Sequence, residues 1–386
     1  MKRKGLQILL ALALGLVTAL ALLWRLEGRP DLSLAQAGTG AIHVATTGND
    51  TPDCGNKAAP CATVQHAVDL AHAGDVVKVA SGVYTGVNTC GGITQVVYLS
   101  KSVTLRGGYT TPGWSVHLPI SHPTTLDAQG QGRVLYVSGE VTVTIESLRI
   151  TGGDASGMAG HAEPWYKTED AGGGVYAVNA TLTLKDNQVS SNTASHGAGV
   201  YVANSEALLA GNQVFSNTAG QDGGGIYVIN AVGEYDQPIS NTATLIGNQV
   251  FDNRAGQDGG GVYVSNSANE YGEEGTPISA TLTMAGNLVF GNVASGSGGG
   301  VYTNKTIDEF GMGYFINATI TISDNQVRHN LAHQCGGGLS LHNSAATLSR
   351  NTIAGNRASG DGGGLCLTRF LFGASIGAPT LNGNTL

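Results

Sequence analysis

The chain has 386 residues, 59 of them glycine, with only 12% charged residues and a formal net charge of −8. Glycine is about twice its usual ~7% share and charge about half its usual quarter. No Gly-X-Y period accompanies the ten prolines, so collagen is excluded, and so scarce a charge argues against disorder. With no basic cluster beyond the N-terminus, a nucleic-acid partner is not expected, because phosphate binding needs gathered Lys and Arg.

The first element is a targeting segment. Lys2, Arg3 and Lys4 precede an uncharged, apolar run from Leu6 to Trp24, and Ala35-Gln36-Ala37 offers a small-x-small cleavage site. The run is long for a signal peptide and about sufficient to cross a bilayer. Residues 1–37 therefore read either as a cleaved signal peptide with a linker or as a retained signal anchor, the only expected membrane contact. Both place the rest of the chain outside the cytoplasm, secreted or at the cell surface.

Residues 38–75 read as an N-terminal unit. It has a strand over Ile42 to Ala45, a loop between Cys54 and Cys61, and an amphipathic helix over Thr63 to Ala73. Val64, Ala67, Val68 and Ala71 share one face of that helix, and Gly74 ends it as a C′ residue. The short loop predicts a Cys54–Cys61 disulfide in an oxidising compartment, and no second Cys or His pair lies nearby at metal-ligand spacing. Cys90, Cys335 and Cys366 are odd in number, so at least one is free or pairs outside the chain.

Residues 76–386 are β-rich. Short runs at Val76 to Ala80, Val96 to Leu99, Val103 to Leu105, Val134 to Val137 and Val141 to Ile150 are separated by glycine and Thr-Pro turn signals. From about residue 172 a repeat becomes explicit. Gly-Gly-Gly-Val-Tyr stands at 172–176, 259–263 and 298–302, with close variants at 197–201 and 223–227 and degenerate copies at 336–340 and 362–366. Asn187, Asn212, Asn248, Asn287, Asn325, Asn351 and Asn384 alternate with these glycines. From each Asn to the next post-glycine aliphatic is 13 residues once and 14 thereafter. The return distance is 12 in three repeats but 19 to 25 in the others. One half-coil is thus fixed, and the other accepts insertions at a single place. The uninterrupted repeat of 25 or 26 residues suits one three-strand coil of a parallel β-helix, with stacked aliphatics inside, glycine where φ is positive or backbones approach closely, and Asn tolerating the left-handed conformation or forming ladders. The fold class is therefore all-β: a right-handed parallel β-helix solenoid, with the amphipathic helix as the N-terminal cap that an open solenoid end needs. No comparable C-terminal cap is evident before Leu386, which reads as an expected truncation.

These glycine and Asn repeats, with Ile42-His43-Val44-Ala45, Pro60-Cys61-Ala62-Thr63-Val64-Gln65 and Gly82-Val83-Tyr84, resemble the right-handed β-helix repeat family that shares the pectin-lyase fold. Val-x-x-Asn with Gly-Gly-Gly-Val-Tyr is also similar to polymorphic outer membrane protein repeats of bacterial surface proteins, though those use Gly-Gly-Ala-Ile and Phe-x-x-Asn. The resemblance spans roughly residues 42–386 and implies fold far more than activity.

Chemistry has three candidate locations. The insertions carry Glu234, Tyr235 and Asp236, then Glu270, Tyr271, Glu273 and Glu274, then Asp308, Glu309, Phe310 and Tyr314. Stacked coils would gather these on one edge. Aromatic faces with carboxylates suit a sugar ring, and the same carboxylates could hold Ca²⁺, the one cofactor in view. The bland alternative is a set of solvated loops. A second location is the outward Tyr column (Tyr176, Tyr201, Tyr227, Tyr263, Tyr302), which either binds an extended glycan or stacks upon itself. The third is Asp222 and Asp258, placed before the glycines on neighbouring coils. They are the least unlikely catalytic acids, near the roughly 5 Å separation of retaining glycosidases, although Asp-Gly is also ordinary turn chemistry. Three functional readings follow: non-catalytic recognition or adhesion on a polysaccharide or surface protein, a polysaccharide lyase or hydrolase, and a passive spacer.

Overall fold

A computed structural model describes residues 40–90, 92–158, 170–232, 239–268, 278–306, 316–368 and 378–386. The N-terminal segment read above as a signal peptide or anchor, and all eleven insertion residues just named, from Glu234 to Tyr314, lie outside the described residues.

Alternation of aliphatic and polar residues makes each short run a strand, and the strands stack into sheets of 11, 10, 9 and 6 strands, in parallel except where Asn88–Cys90 pairs antiparallel with Ile93–Leu99. One coil shows the plan. Val175–Val178, Thr181–Lys185, Gln188–Ser190 and Thr193–Ala194 each belong to a different sheet. Each pairs in parallel with its counterpart 25 residues on: Val175 with Val200, Leu182 with Ala207, Val189 with Val214, Ala194 with Ala219. The coil thus has three principal strands and a fourth of two residues, one more than the sequence period suggests. Val175, Ala177, Leu182, Leu184 and Val189 are at most 1% exposed, and their equivalents continue the same core as far as Leu339, Leu341, Leu348 and Ile353, beyond which Leu367 and Leu381 are exposed. Each fully buried Val or Leu contributes about 1.5–3 kcal/mol.

The corners differ from the expectation in one respect. The left-handed residue is the one before each Asn, not the Asn itself: Asp186 (φ 55°), Gly211 (67°), Asp252 (54°) and Arg350 (54°) are examples. The Asn side chains instead turn inward as two buried amide ladders, Asn187 to Asn384 and Asn192 to Asn356. In the glycine triplet the roles separate. Gly259 has φ 67°, while a Cβ on Gly261 would lie 2.6 Å from the Gly300 carbonyl oxygen. The first position needs the conformation and the third needs the space.

At the N-terminal end, helix α1 (Val64–Leu70) starts at Thr63, whose side chain accepts from the His66 N–H. Its buried Val64, Ala67 and Val68 join the main core. It ends earlier than its periodicity suggests: Ala71 is extended (ψ 144°), and Gly74 (φ 89°) belongs to the turn beyond, where the Asp75 carboxylate accepts from the His72 N–H. The apolar run Val141 to Ile150 is two strands, Thr142–Glu146 and Arg149–Thr151, because Ser147 turns a corner at φ 59°. Cys54–Cys61 and Cys335–Cys366 are joined, and Cys90 is free and exposed.

The insertions enlarge the strands that flank them. Plain coils have strands of four and five residues there, whereas Ile226–Val232 and Ile239–Ile246, then Val262–Ala268 and Ile278–Ala285, then Val301–Thr306 and Ile316–Ser323, run to six to eight.

Candidate functional site

The outward face of the ten-strand sheet carries the tyrosine column. Tyr136, Tyr176, Tyr201, Tyr227, Tyr263 and Tyr302 are at most 8% exposed and stack ring on ring at 4.6–5.2 Å. Tyr98 precedes them at 5.5 Å and His342 follows at 6.2 Å. Of the two readings of this column, self-stacking is the one realised: ring faces spent on one another are closed to a glycan. Arg133, fully buried, lies 5.1 Å from the centre of Tyr176 and donates to the carbonyls of Ala171 and Met158.

The acids sit at the corner that leads into this face. Asp222 and Asp258 are brought together on adjacent coils, as the repeat implies. The Asp222 Oδ1 accepts from the Asp258 N–H at 2.9 Å, and the Asp258 Oδ1 accepts from the Ser297 N–H at 2.6 Å. Each acid therefore spends one oxygen on the backbone of the next coil. The Asp222 Oδ2 lies 3.8 Å from the Nε2 of His196, and the two side chains are only 14% and 18% exposed. The His196 ring meets Tyr227 edge-on at 5.5 Å. Burial pushes Asp222 up to about 6; the Asp258 N–H opposes this and the Asp258 charge adds to it. Burial also raises Asp258, against the Ser297 N–H and the charge of His342. Burial lowers His196, opposed by Asp170. This corner thus holds a carboxyl group able to keep its proton in mild acid beside a neutral imidazole, the two elements of general acid–base chemistry.

The structure sets Asp222 and Asp258 in one column, as the repeat implies, while Asp361, at the equivalent place before the last glycine triplet, is exposed. The approach of His196 to Asp222 was legible only as a shared repeat position, and the proximity of His342 to Asp258 had no motif. For a metal, Asp50, Cys54 and His66 come within ligand reach of one another. The chemistry does not fit: Cys54 is in a disulfide, and the Asp50 oxygens accept from the N–H groups of Ala62 and Thr63 and from the Thr63 hydroxyl.

The parallel coils, continuous aliphatic core and corner ladders define a right-handed parallel β-helix protein. The chain belongs to the right handed beta helix region family, whose model matches residues 173–370. Among solved structures it is similar to a rhamnogalacturonan lyase, with TM-score 0.44 and 14% identity over 82% of this chain and 76% of that one. It is also similar to a chain described as the complex structure of XylC with xylose, with TM-score 0.39 and 9% identity over 86% and 70%. Comparison with curated protein sequences gave no match.

Proposed function

We propose that the chain is an exported, cell-surface β-helix that recognises a polysaccharide through the edge from which its three insertions leave. One observation carries this reading: the register of the lengthened strands stays in step up to the insertions. Val232 pairs with Ala268 and Ser267 with Thr306 on one side; Ile239, Ile278 and Ile316 pair in series on the other. Paired strands lie about 4.8 Å apart, so the three insertions start and finish side by side. Their sequences bring Tyr235, Tyr271, Phe310 and Tyr314 together with seven carboxylates, suited to sugar CH faces and hydroxyls. Export is supported by the N-terminal sequence and by the two joined cysteine pairs, which suit an oxidising compartment. The test is binding of the full chain to a panel of pectic, chitin-like and bacterial polysaccharides, before and after all three insertions are replaced by short Gly-Ser linkers. Loss of binding with an unchanged circular dichroism spectrum is expected; binding that survives removes the edge from consideration.

A second reading, a lyase or hydrolase working at Asp222 and Asp258, is favoured by the raised carboxyl beside His196. New oligosaccharides detected by mass spectrometry, and lost in Asp258→Asn, would establish it in place of the first. Turnover undiminished in Asp258→Asn would remove the acid pair.

A further inference from the structure

The outward face of the eleven-strand sheet is ruled by threonine. In three consecutive coils the outward positions are Thr242 and Thr244, Thr281 and Thr283, and Thr319 and Thr321, alternating with buried core residues such as Leu245, Met284 and Ile322. Both columns are in strict register, Thr242–Thr281–Thr319 and Thr244–Thr283–Thr321. Thr347 and Thr380 extend the second column. On the other side of an interruption at Glu206 and Leu208, the pairs recur as Thr181 with Thr183 and Thr142 with Thr144. The result is a two-dimensional lattice, about 4.8 Å from coil to coil and about 6.6 Å along each strand.

Three independent features mark this lattice as more than a β-propensity effect. First, it is uncharged: the next outward position in the same coils is Ile246, Ala285 or Ser323. Second, its coils twist little. On these coils the stacked rings of Phe251 and Phe290 are inclined by 6°, and those of Tyr227, Tyr263 and Tyr302 by 12° and 16°. Ordinary neighbouring strands are rotated by about 20–25°. Third, none of the six hydroxyls hydrogen-bonds to another described residue. On the nine-strand sheet, by contrast, Gln188 donates to Gln213 along the stack at 3.2 Å. Threonine is also stiff at χ1, so its methyl and hydroxyl are already ordered before anything binds, and little entropy is lost on contact.

A stiff, weakly twisted, neutral grid of alternating methyl and hydroxyl groups, with unshared hydroxyls at a fixed pitch, is complementary to a solid whose own surface repeats at that pitch. The spacings approach those between water oxygens on the faces of hexagonal ice. We propose that this face binds ice, by holding a layer of water in lattice register with the crystal. A dissolved glycan presents no two-dimensional repeat, and the three-coil threonine grid itself offers it neither carboxylates nor open aromatic faces. The proposal goes beyond the recognition edge and does not depend on it.

The test uses the full chain in an ice-affinity assay, in which protein partitions between slowly growing ice and liquid, together with inhibition of ice recrystallisation. The wild type is expected to enter the ice and to keep grains small. Thr283→Lys and Thr321→Lys are expected to lose both effects, while Thr352→Lys, on the outward face of the nine-strand sheet, keeps them. Thermal melts confirm folding; where a lysine variant fails to fold, Thr283→Gln breaks the grid without adding charge and is expected to lose both effects. Exclusion of the wild type from ice overturns the proposal. So does full activity in a folded Thr283 variant, or adsorption to crystalline cellulose or chitin without adsorption to ice.

Discussion

Two kinds of corner face the same problem, a backbone N–H that needs an acceptor, and meet it with different side chains: Asn throughout the repeats and Asp on two coils. At the Asn corners the amide does everything at once. Asn253 donates through Nδ2 to the Val214 carbonyl at 2.9 Å and to the Asn292 Oδ1 at 2.9 Å, while its own Oδ1 accepts from the backbone and side chain of Asn217. Because an amide is both donor and acceptor, the ladder propagates without limit and carries no charge. At the acid corner the side chains of Asp222 and Asp258 accept from the next coil and, once ionised, have no proton to pass along the stack. That ladder stops at Ser297 after two rungs, and its burial disfavours the charge. The Asn corner is built for indefinite repetition; the Asp corner interrupts that uniformity with two titratable groups.

Breaking the amide ladder should have the largest effect. Asn253→Ala leaves the Val214 carbonyl and both Asn217 donors without this partner, and the Asn292 Oδ1 with only the backbone N–H of residue 253, in a region at most 1% exposed. Unmet buried groups cost about 1–3 kcal/mol each, so a loss of roughly 3 kcal/mol or more is expected in urea denaturation. A loss below about 1 kcal/mol would mean that the coils do not rely on the ladder.

Converting the acid rung to an amide comes next and should act in the opposite direction. An unfolded Asp titrates near its model value of 3.8, whereas Asp222 in the fold titrates near 6. Between those values the folded chain holds a proton that the unfolded chain has lost. Stability therefore falls as pH rises through that window and stays lower above it. Asp222→Asn keeps the oxygen that accepts from Asp258 and removes the charge. It should match the wild type near pH 4 and exceed it by roughly 2–3 kcal/mol at pH 8, as read from paired denaturation curves. Equal stability at both pH values would show that solvent reaches the carboxylate freely.

The contrast also explains what could be read from the residues alone. The fixed half-coil was legible because it repeats at 13 or 14 residues with a glycine triplet whose conformation and closeness no other residue supplies. The left-handed corner residue was not, because Asp186, Gly211, Asp324 and Arg350 all occupy equivalent places before the first Asn ladder and no single composition marks them. The visible Asn beside it was credited with that conformation instead. The strand Thr193–Ala194 is too short for periodicity to register. His196 and Asp222 share a repeat position on adjacent coils, but that their side chains turn toward one another is not marked by either residue type.

The tyrosine column should respond more mildly than either corner. Tyr201 is stacked on both sides, 5.1 Å from Tyr176 and 5.2 Å from Tyr227. Tyr201→Leu retains most of the apolar burial and removes two ring pairs, each worth about 0.5–1.5 kcal/mol, so a loss of about 1–2 kcal/mol is expected. A larger loss would place the column beside the Asn ladders as a principal support of the fold.

The smallest effect should come from Gln213→Ala, and it isolates the variable behind the whole comparison. Gln188 and Gln213 join side-chain amides along the coils much as Asn192 and Asn217 do, at 3.2 Å against 3.0 Å. The difference is solvent: both glutamines are partly exposed, whereas Asn192 and Asn217 are at most 1% exposed. When Gln213 is removed, water takes its place on Gln188 and nothing buried is left unmet, so the change should stay within about 0.5 kcal/mol. If Gln213→Ala cost as much as Asn253→Ala, the amide contact itself would be the source of stability. If it costs almost nothing, the stability of the Asn ladder lies in the burial that makes its partners irreplaceable.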